Sequence, residues 1–203
     1  ITHINNLNQV LNNLYKILSD QGTFILEEPS LLECYKTNSF DQFYNEHIYV
    51  LSAIALKNYL SQNKMEIYKI ENVKVHGGSL RYFIKKKINK TIKIEKSVEK
   101  QVNLEKKHNL DKLSSYKIFA KKVYKIRKDL VSLFKKIKSE GSKVIGYGAS
   151  AKAVTVINFC NLKEKYFDYF FDTTDEKIGK LVPGTKITVK RYKKVKGRNK
   201  IYF

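Results

Sequence analysis

The 203 residues suffice for one large domain or two small ones, and a hydrophobic share of 42% is enough to bury a core. Two Pro and nine Gly exclude a collagenous or low-complexity chain, and no apolar run reaches the length that spans a bilayer. The net charge of +21 would point to nucleic acid or an anionic membrane, but Lys far outnumbers Arg and is scattered over helix-surface positions, so it reads as a solvated exterior with no dedicated nucleic-acid face.

The chain opens on Ile1-Thr2-His3, which is neither an initiator Met nor a signal peptide, and reads as starting in mid-domain. Leu7, Val10, Leu11, Leu14 and Leu18 fall at helical spacing. Asp20-Gln21-Gly22 breaks that helix. Thr23 to Leu26 is a short apolar strand ending at Glu27-Glu28-Pro29, so a helix feeds a buried strand, as in an α/β sheet. Asp41 is placed to cap the next helix, whose apolar positions include Ile48, Leu51, Ala55 and Tyr59. Ile67 to Val75 and Leu80 to Ile84 are two strands joined through Gly77-Gly78, an antiparallel hairpin closing one sheet edge.

Residues 85–109 are charged and weakly periodic, and read as a connecting helix at a domain boundary. Leu110, Leu113, Phe119, Val123, Ile126, Leu130, Phe134 and Ile137 then keep the spacing of one long amphipathic helix, which Gly141 ends. Lys143-Val144-Ile145 is a strand running into Gly146, followed by a helix over Ala151 to Phe159 and a strand over Tyr166 to Phe171 that ends at Asp172. A strand, a glycine loop, a helix and a strand in this order are half of a nucleotide-binding fold. Cys34 and Cys160 lie far apart without metal-ligand spacing, which predicts two buried reduced thiols in a cytosolic protein and no zinc site within the chain.

Three stretches carry chemistry. Tyr44-Asn45-Glu46-His47 gathers a phenol, a carboxylate and an imidazole, the side chains that move protons. His76-Gly77-Gly78-Ser79-Leu80-Arg81 is a glycine hairpin with polar flanks. In Gly146-Tyr147-Gly148-Ala149-Ser150-Ala151-Lys152, Gly146 lets the chain turn off its strand. Gly148 lets backbone approach an anion, and the N–H groups at the helix start face that anion. Ser150 and Lys152 add a hydroxyl and a charge, and Asp172 stands where an acid meets a ribose. The loop lacks the Walker spacing, and Ala151 replaces the third glycine of G-x-G-x-x-G.

These motifs, followed by Asp172 and Val182-Pro183-Gly184-Thr185, stand in one order from Ile1 to about Val189. Together they resemble the C-terminal part of the class I S-adenosylmethionine (SAM)-dependent methyltransferases that C-methylate nucleotide-linked sugars. The resemblance implies an α/β fold: the distal half of a Rossmann-like methyltransferase sheet (residues 1–84), a linker helix (85–109) and a second, incomplete Rossmann-like domain (110–203). It implies an active site of His3, Tyr44, Glu46 and His47. It further implies substrate contacts from His76, Ser79, Arg81, Gly146, Tyr147, Gly148, Ala149, Ser150, Lys152 and Asp172. SAM would bind mostly outside this chain, and zinc only in a missing N-terminal segment, because the family's zinc cysteines and glycine-rich SAM loop have no counterpart here. Two departures stand out: Val154, where a smaller or polar residue is commoner, and the basic tail Lys190 to Phe203, unlike the family's closing strand and helix.

The implied reaction is methyl transfer to a sugar carbon beside a ketone. Carbon becomes nucleophilic there once a base takes the α-proton and the enolate charge is stabilised. His47 or His3 is that base, Tyr44 relays a proton or bonds the enolate, and Glu46 orients an imidazole or holds hydroxyls. The expected protein is cytoplasmic, with a nucleotide-sugar as partner and no membrane, and is inactive without the part that binds SAM. The readings from other classes are a non-catalytic nucleotide-sugar binding module and a basic RNA-binding domain.

Overall fold

A computed structural model of the chain describes residues 1–193 and 200–202. The chain divides into two compact units, Ile1–Ala120 and Lys121–Phe203, with the division falling inside one long helix. Among the described residues, no helix is long and apolar enough to cross a membrane. The architecture is mixed α/β, as the sequence pattern predicts.

In the first unit, α1 (Leu7–Ile17) starts where the Asn6 side chain accepts the Gln9 N–H. Strand β1 (Phe24–Pro29) follows, then α2 (Leu31–Thr37), capped by Ser30 and closed by Asn38 in the left-handed region at φ 56°. A 3-10 turn at Phe40–Gln42 leads to an irregular segment, and α3 (Ala53–Gln62) begins only at Ser52. The expected cap at Asp41 is therefore displaced by eleven positions, since Asp41 lies inside the 3-10 turn. The reason is donor satisfaction. The Ser52 hydroxyl accepts the Ala55 N–H at 3.1 Å, and the buried Glu105 carboxylate accepts the N–H groups of Ala53 and Ile54 at 2.9 Å each. Upstream, the bulky run Ile48-Tyr49-Val50 offers no such cap.

Strands β2 (Met65–Val73) and β3 (Ser79–Lys86) form the predicted hairpin. The sheet order is β1-β3-β2, so β3 is the middle strand, antiparallel to both neighbours, and β2 is an edge. Leu80, Tyr82 and Ile84 share one core with Leu7 and Leu11 of α1 and with Ala53, Leu56 and Leu60 of α3. Helix α4 (Lys96–Lys107) adds Val98 and Val102 to that core, so the charged stretch at 85–109 contributes packing to the first unit.

Helix α5 (Leu113–Ser139) is the predicted long amphipathic helix. It ends as a Schellman turn. Gly141 at φ 70° donates to the Lys138 carbonyl, and Ser142 donates to Ile137. The second unit then runs through β4 (Lys143–Tyr147), α6 (Ala151–Cys160), β5 (Phe167–Asp172), β6 (Val189–Arg191) and β7 (Lys200–Tyr202). All four strands are parallel in the order β6-β5-β4-β7. The chain thus steps outward from β4 to one side and then returns to its other side, which places a topological switch point at the carboxyl end of β4. The basic tail contributes sheet: β6 runs into it from Val189 and β7 lies within it, while residues 194–199 and 203 are outside the described residues. Both thiols are buried, and neither forms a disulfide among the described residues.

Candidate functional site

Within the first unit, β1, the 3-10 turn and the hairpin loop converge on a cavity of about 290 Å³ lined by His3, Glu27, Glu28, Gln42, His47, His76 and Ser79, with Ile1, Thr2 and Pro29. Three of the four histidines of the chain therefore meet in one place. Tyr44–His47 is a tight turn, closed by the His47 N–H on the Tyr44 carbonyl at 2.8 Å, and not the start of a helix.

The His47 Nδ1 donates to the backbone carbonyl of Gln42 at 2.8 Å. A carbonyl only accepts, so the proton sits on Nδ1 and a neutral His47 keeps its lone pair on Nε2. His3 meets the ring edge-on, with centroids 5.0 Å apart, and Tyr44 lies against it at 3.9 Å. Burial, and then the charge of Glu46, push the Tyr44 phenol above its ordinary value, further from ionisation. Tyr44 and Glu46 do not themselves line the cavity; Glu46 is exposed.

Gln42 is the residue that sequence reasoning missed. It is buried, and its Nε2 donates to the His76 carbonyl at 2.7 Å. One residue therefore fixes both histidine-bearing loops. His76 itself sits at φ 52°, a left-handed conformation uncommon outside glycine. Glu27 and Glu28 were also missed, although a signal existed: they end a strand, where α/β sheets present their ligands. Ser79 lines the cavity, with its hydroxyl donating to the Val75 carbonyl at 3.2 Å. Arg81 does not reach it. Its guanidinium grips Glu27 at 2.7 Å and faces Glu71 at 3.6 Å, the residues opposite it on β1 and β2. It acts on the cavity only by holding Glu27.

In the second unit, Gly148 takes the turn at φ 86°, with open space where a side chain would stand. Gly146 has another role than the expected turn. It lies within β4, and a Cβ there would stand 2.3 Å from the Phe170 ring, so its lack of a side chain admits that ring to the core. The Gly148 N–H donates to Phe171 at 2.7 Å, and the Ala149 N–H to Asp172 at 2.8 Å. Asp172 also accepts from the Thr174 N–H at 2.9 Å and pairs with Lys177 at 3.1 Å. Burial opposes its ionisation, yet the hydrogen bonds from Thr174, Lys177 and Ala149 prevail and hold the carboxyl well below the usual carboxylate range. Asp172 is thus turned toward the loop itself. Ser150 caps α6 by accepting the Ala153 N–H at 3.2 Å. The N–H groups of Ala151 and Lys152, in the first turn, have no intrahelical acceptor. Tyr147 is exposed and packs edge-on against Tyr192 at 5.4 Å.

Among the described residues, no cluster of three His, Cys, Asp or Glu could hold a metal ion. Residues 74–203 match the model of the C-methyltransferase C-terminal domain. The chain is also similar to the C-methyltransferase NovU of Streptomyces niveus, 26% identical over 187 residues that cover 92% of this chain and 44% of that protein. The match begins at the hairpin loop and continues through both β4 and the glycine turn, over well more than half of the chain, and the chain belongs to the C-methyltransferase C-terminal domain family.

Proposed function

We propose that this chain supplies the acceptor side of a SAM-dependent C-methyltransferase acting on a carbon beside a ketone in a nucleotide-linked sugar. The observation that carries the reading is the anchored His47. Its Nδ1 is tied to Gln42, and His47 lines the same cavity as His3 and His76. His47 is the base: the α-C–H bond breaks, the proton passes to Nε2, and the electron pair is delocalised onto the ketone oxygen. Tyr44, a phenol whose ring lies against that of His47, hydrogen-bonds the developing enolate. His3, exposed and edge-on to His47, packs against the imidazole and holds its orientation. His76, Ser79 and Glu27 hold sugar hydroxyls.

SAM supplies the electrophilic methyl group when bound. Among the described residues, the first sheet carries no glycine-rich strand-to-helix turn, and β1 passes to α2 through Ser30. The residues of this chain are therefore assigned to the acceptor and not to the methyl donor. In the second unit, the N–H groups of Ala151 and Lys152 and the Lys152 ammonium make the glycine loop suited to a phosphate. Asp172 orders the loop from behind instead of reaching a ribose.

The test separates proton removal from methyl transfer. The full-length protein, given a nucleotide-linked ketosugar in deuterated water without methyl donor, exchanges the α-proton, and mass spectrometry reads the gain. His47→Ala removes that exchange while the sugar still binds. Undiminished exchange in His47→Ala sinks the reading.

A further inference from the structure

The second unit holds another concavity that the acceptor chemistry does not use. A groove of about 510 Å³ lies between α5 and the end of α6, lined by Tyr124, Arg127, Lys128, Lys135, Lys165 and Tyr166 among others. Positions 124, 127, 128 and 135 fall on one face of α5, at spacings near three and four. The groove sits at the Cys160 end of α6, and the glycine loop sits at the other. A ten-residue helix separates them by about 15 Å.

A Lys-rich chain has many cations at its surface, so the question is what distinguishes these four. Several described cations elsewhere are neutralised by acidic partners. Arg81 is held by Glu27, Arg191 by Asp175, Lys85 by Glu66 and Lys177 by Asp172. Among the described residues, no carboxylate lines this groove. Two of its four cations lie over rings. The Arg127 guanidinium lies 5.4 Å from the centroid of Phe159, and the Lys165 ammonium 5.0 Å from that of Tyr166. A ring face orients a cation without cancelling its charge. Tyr124 packs on Phe159 at 5.8 Å yet stays 60% exposed, which leaves a flat apolar surface beside the charges. The Arg127 charge is felt as far as the buried Cys160, where burial raises the thiol and Arg127 opposes that rise. Four positive charges around one opening with no carboxylate in its lining repel each other and focus a positive potential there, which an anion relieves. The volume is that of a small-molecule site. Positive charge next to exposed aromatic faces is the chemistry that holds phosphate and base together.

We propose that this groove is a second anion site that takes a free nucleotide, its phosphates among Arg127, Lys128, Lys135 and Lys165 and its base against Tyr124 or Tyr166. The site is independent of the acceptor reading, because none of its residues lies in the histidine cavity or the glycine loop.

Amide NMR spectra of the full 203-residue chain, titrated with UDP, uridine or inorganic pyrophosphate, test this. UDP shifts the amides of residues 124–135 and 160–166, pyrophosphate shifts a subset of them, and uridine at the same concentration shifts none. Arg127→Gln with Lys165→Gln weakens UDP by about tenfold or more. So does Lys128→Gln with Lys135→Gln, at two exposed positions where circular dichroism verifies the fold. Raising salt from roughly 50 mM to roughly 300 mM weakens it severalfold. Four results overturn the proposal: UDP shifts confined to residues 146–152, no UDP shifts at all, uridine binding as tightly as UDP, or unchanged UDP affinity in both double variants.

Discussion

Gln42 holds His47 with its backbone and His76 with its side chain: its carbonyl accepts the Nδ1 proton of His47 at 2.8 Å, and its amide donates to the His76 carbonyl at 2.7 Å. The two bonds separate under mutation. Gln42→Leu removes only the second. It is expected to destabilise the first unit by about 1 kcal/mol, as for a lost neutral hydrogen bond, and to raise KM with kcat nearly kept. Thermal unfolding and steady-state kinetics of the full-length protein read the two effects. A large fall in kcat would mean that His76, and not only its carbonyl, takes part in the proton step.

His47→Ala is expected to lower kcat by roughly 10²-fold or more with little change in KM, the signature of a lost general base. If only KM rises, His47 binds substrate and the base is His3. Tyr44→Phe provides the companion measurement. It leaves the ring contact with His47 in place and removes the donor, so its loss appears in kcat as well.

Asp172→Asn probes the loop from behind. The folded pKa of Asp172 is depressed, so its ionisation favours the folded state above the unfolded carboxylate pKa of about 3.9, and that contribution disappears as pH falls through the lower folded value. The wild type is therefore expected to unfold at higher denaturant than Asp172→Asn at neutral pH, by about 2 kcal/mol for charge-assisted bonds. The gap closes only in strong acid. Denaturant titrations across pH check this, and a gap constant from neutral to strongly acid pH contradicts it.

The two loop glycines are expected to fail differently. Gly146→Ala drives a methyl into Phe170 and costs about 1–3 kcal/mol of stability by overpacking. Phe170→Leu is expected to recover part of that cost when combined with it. Gly148→Val meets no neighbour, so the fold is expected to persist, at a stability cost for holding a β-branched residue at a positive φ, while the approach to the N–H groups of α6 is closed. It is expected to abolish nucleotide-sugar binding, followed by ligand-induced NMR shifts with circular dichroism as the folding control. Unchanged binding in the folded variant would make the loop only a tight turn.

Glu105 is the strongest single test of the first core. It is fully buried and caps α3 from α4, accepting the N–H groups of Ala53 and Ile54 and the Gln101 amide at 3.1 Å. Glu105→Ala leaves two helix donors unpaired in the interior and is expected to cost about 3 kcal/mol. Glu105→Gln, which keeps one acceptor, costs less. Equal stability of the two variants would show that water replaces the carboxylate.

The elements that periodicity and turn chemistry determine were legible in the sequence. The stripe from Leu7, the Gly77-Gly78 hairpin, the long helix ending at Gly141 and the strand–loop–helix around Gly148 all stand where their patterns put them. Helix α2 was missed although Ser30 and Glu33 carry the spacing of a capping box, because seven residues offer little periodicity. The start of α3 was misplaced because its decisive acceptor, Glu105, comes from α4. Gly146 looked like a turn because only the folded sheet brings Phe170 over it. In the site, residue types announced His47 and His3, but Gln42 acts through a backbone carbonyl and an amide, which no spacing reveals.

The middle position of β3 also sets an order of assembly. Its pairing with β2 closes a short hairpin, whereas its pairing with β1 joins Phe24 to Ile84 across about half of the unit. Closing the long loop costs more chain entropy than closing the short one. The hairpin therefore forms early and presents an open strand edge until β1 docks. Core mutations in β1, such as Leu26→Ala, are expected to speed unfolding, while those at Tyr82 in β3 slow folding, as stopped-flow kinetics would read. The cavity between β1 and the hairpin loop, and with it the histidine site, is then among the last parts of the first unit to take shape.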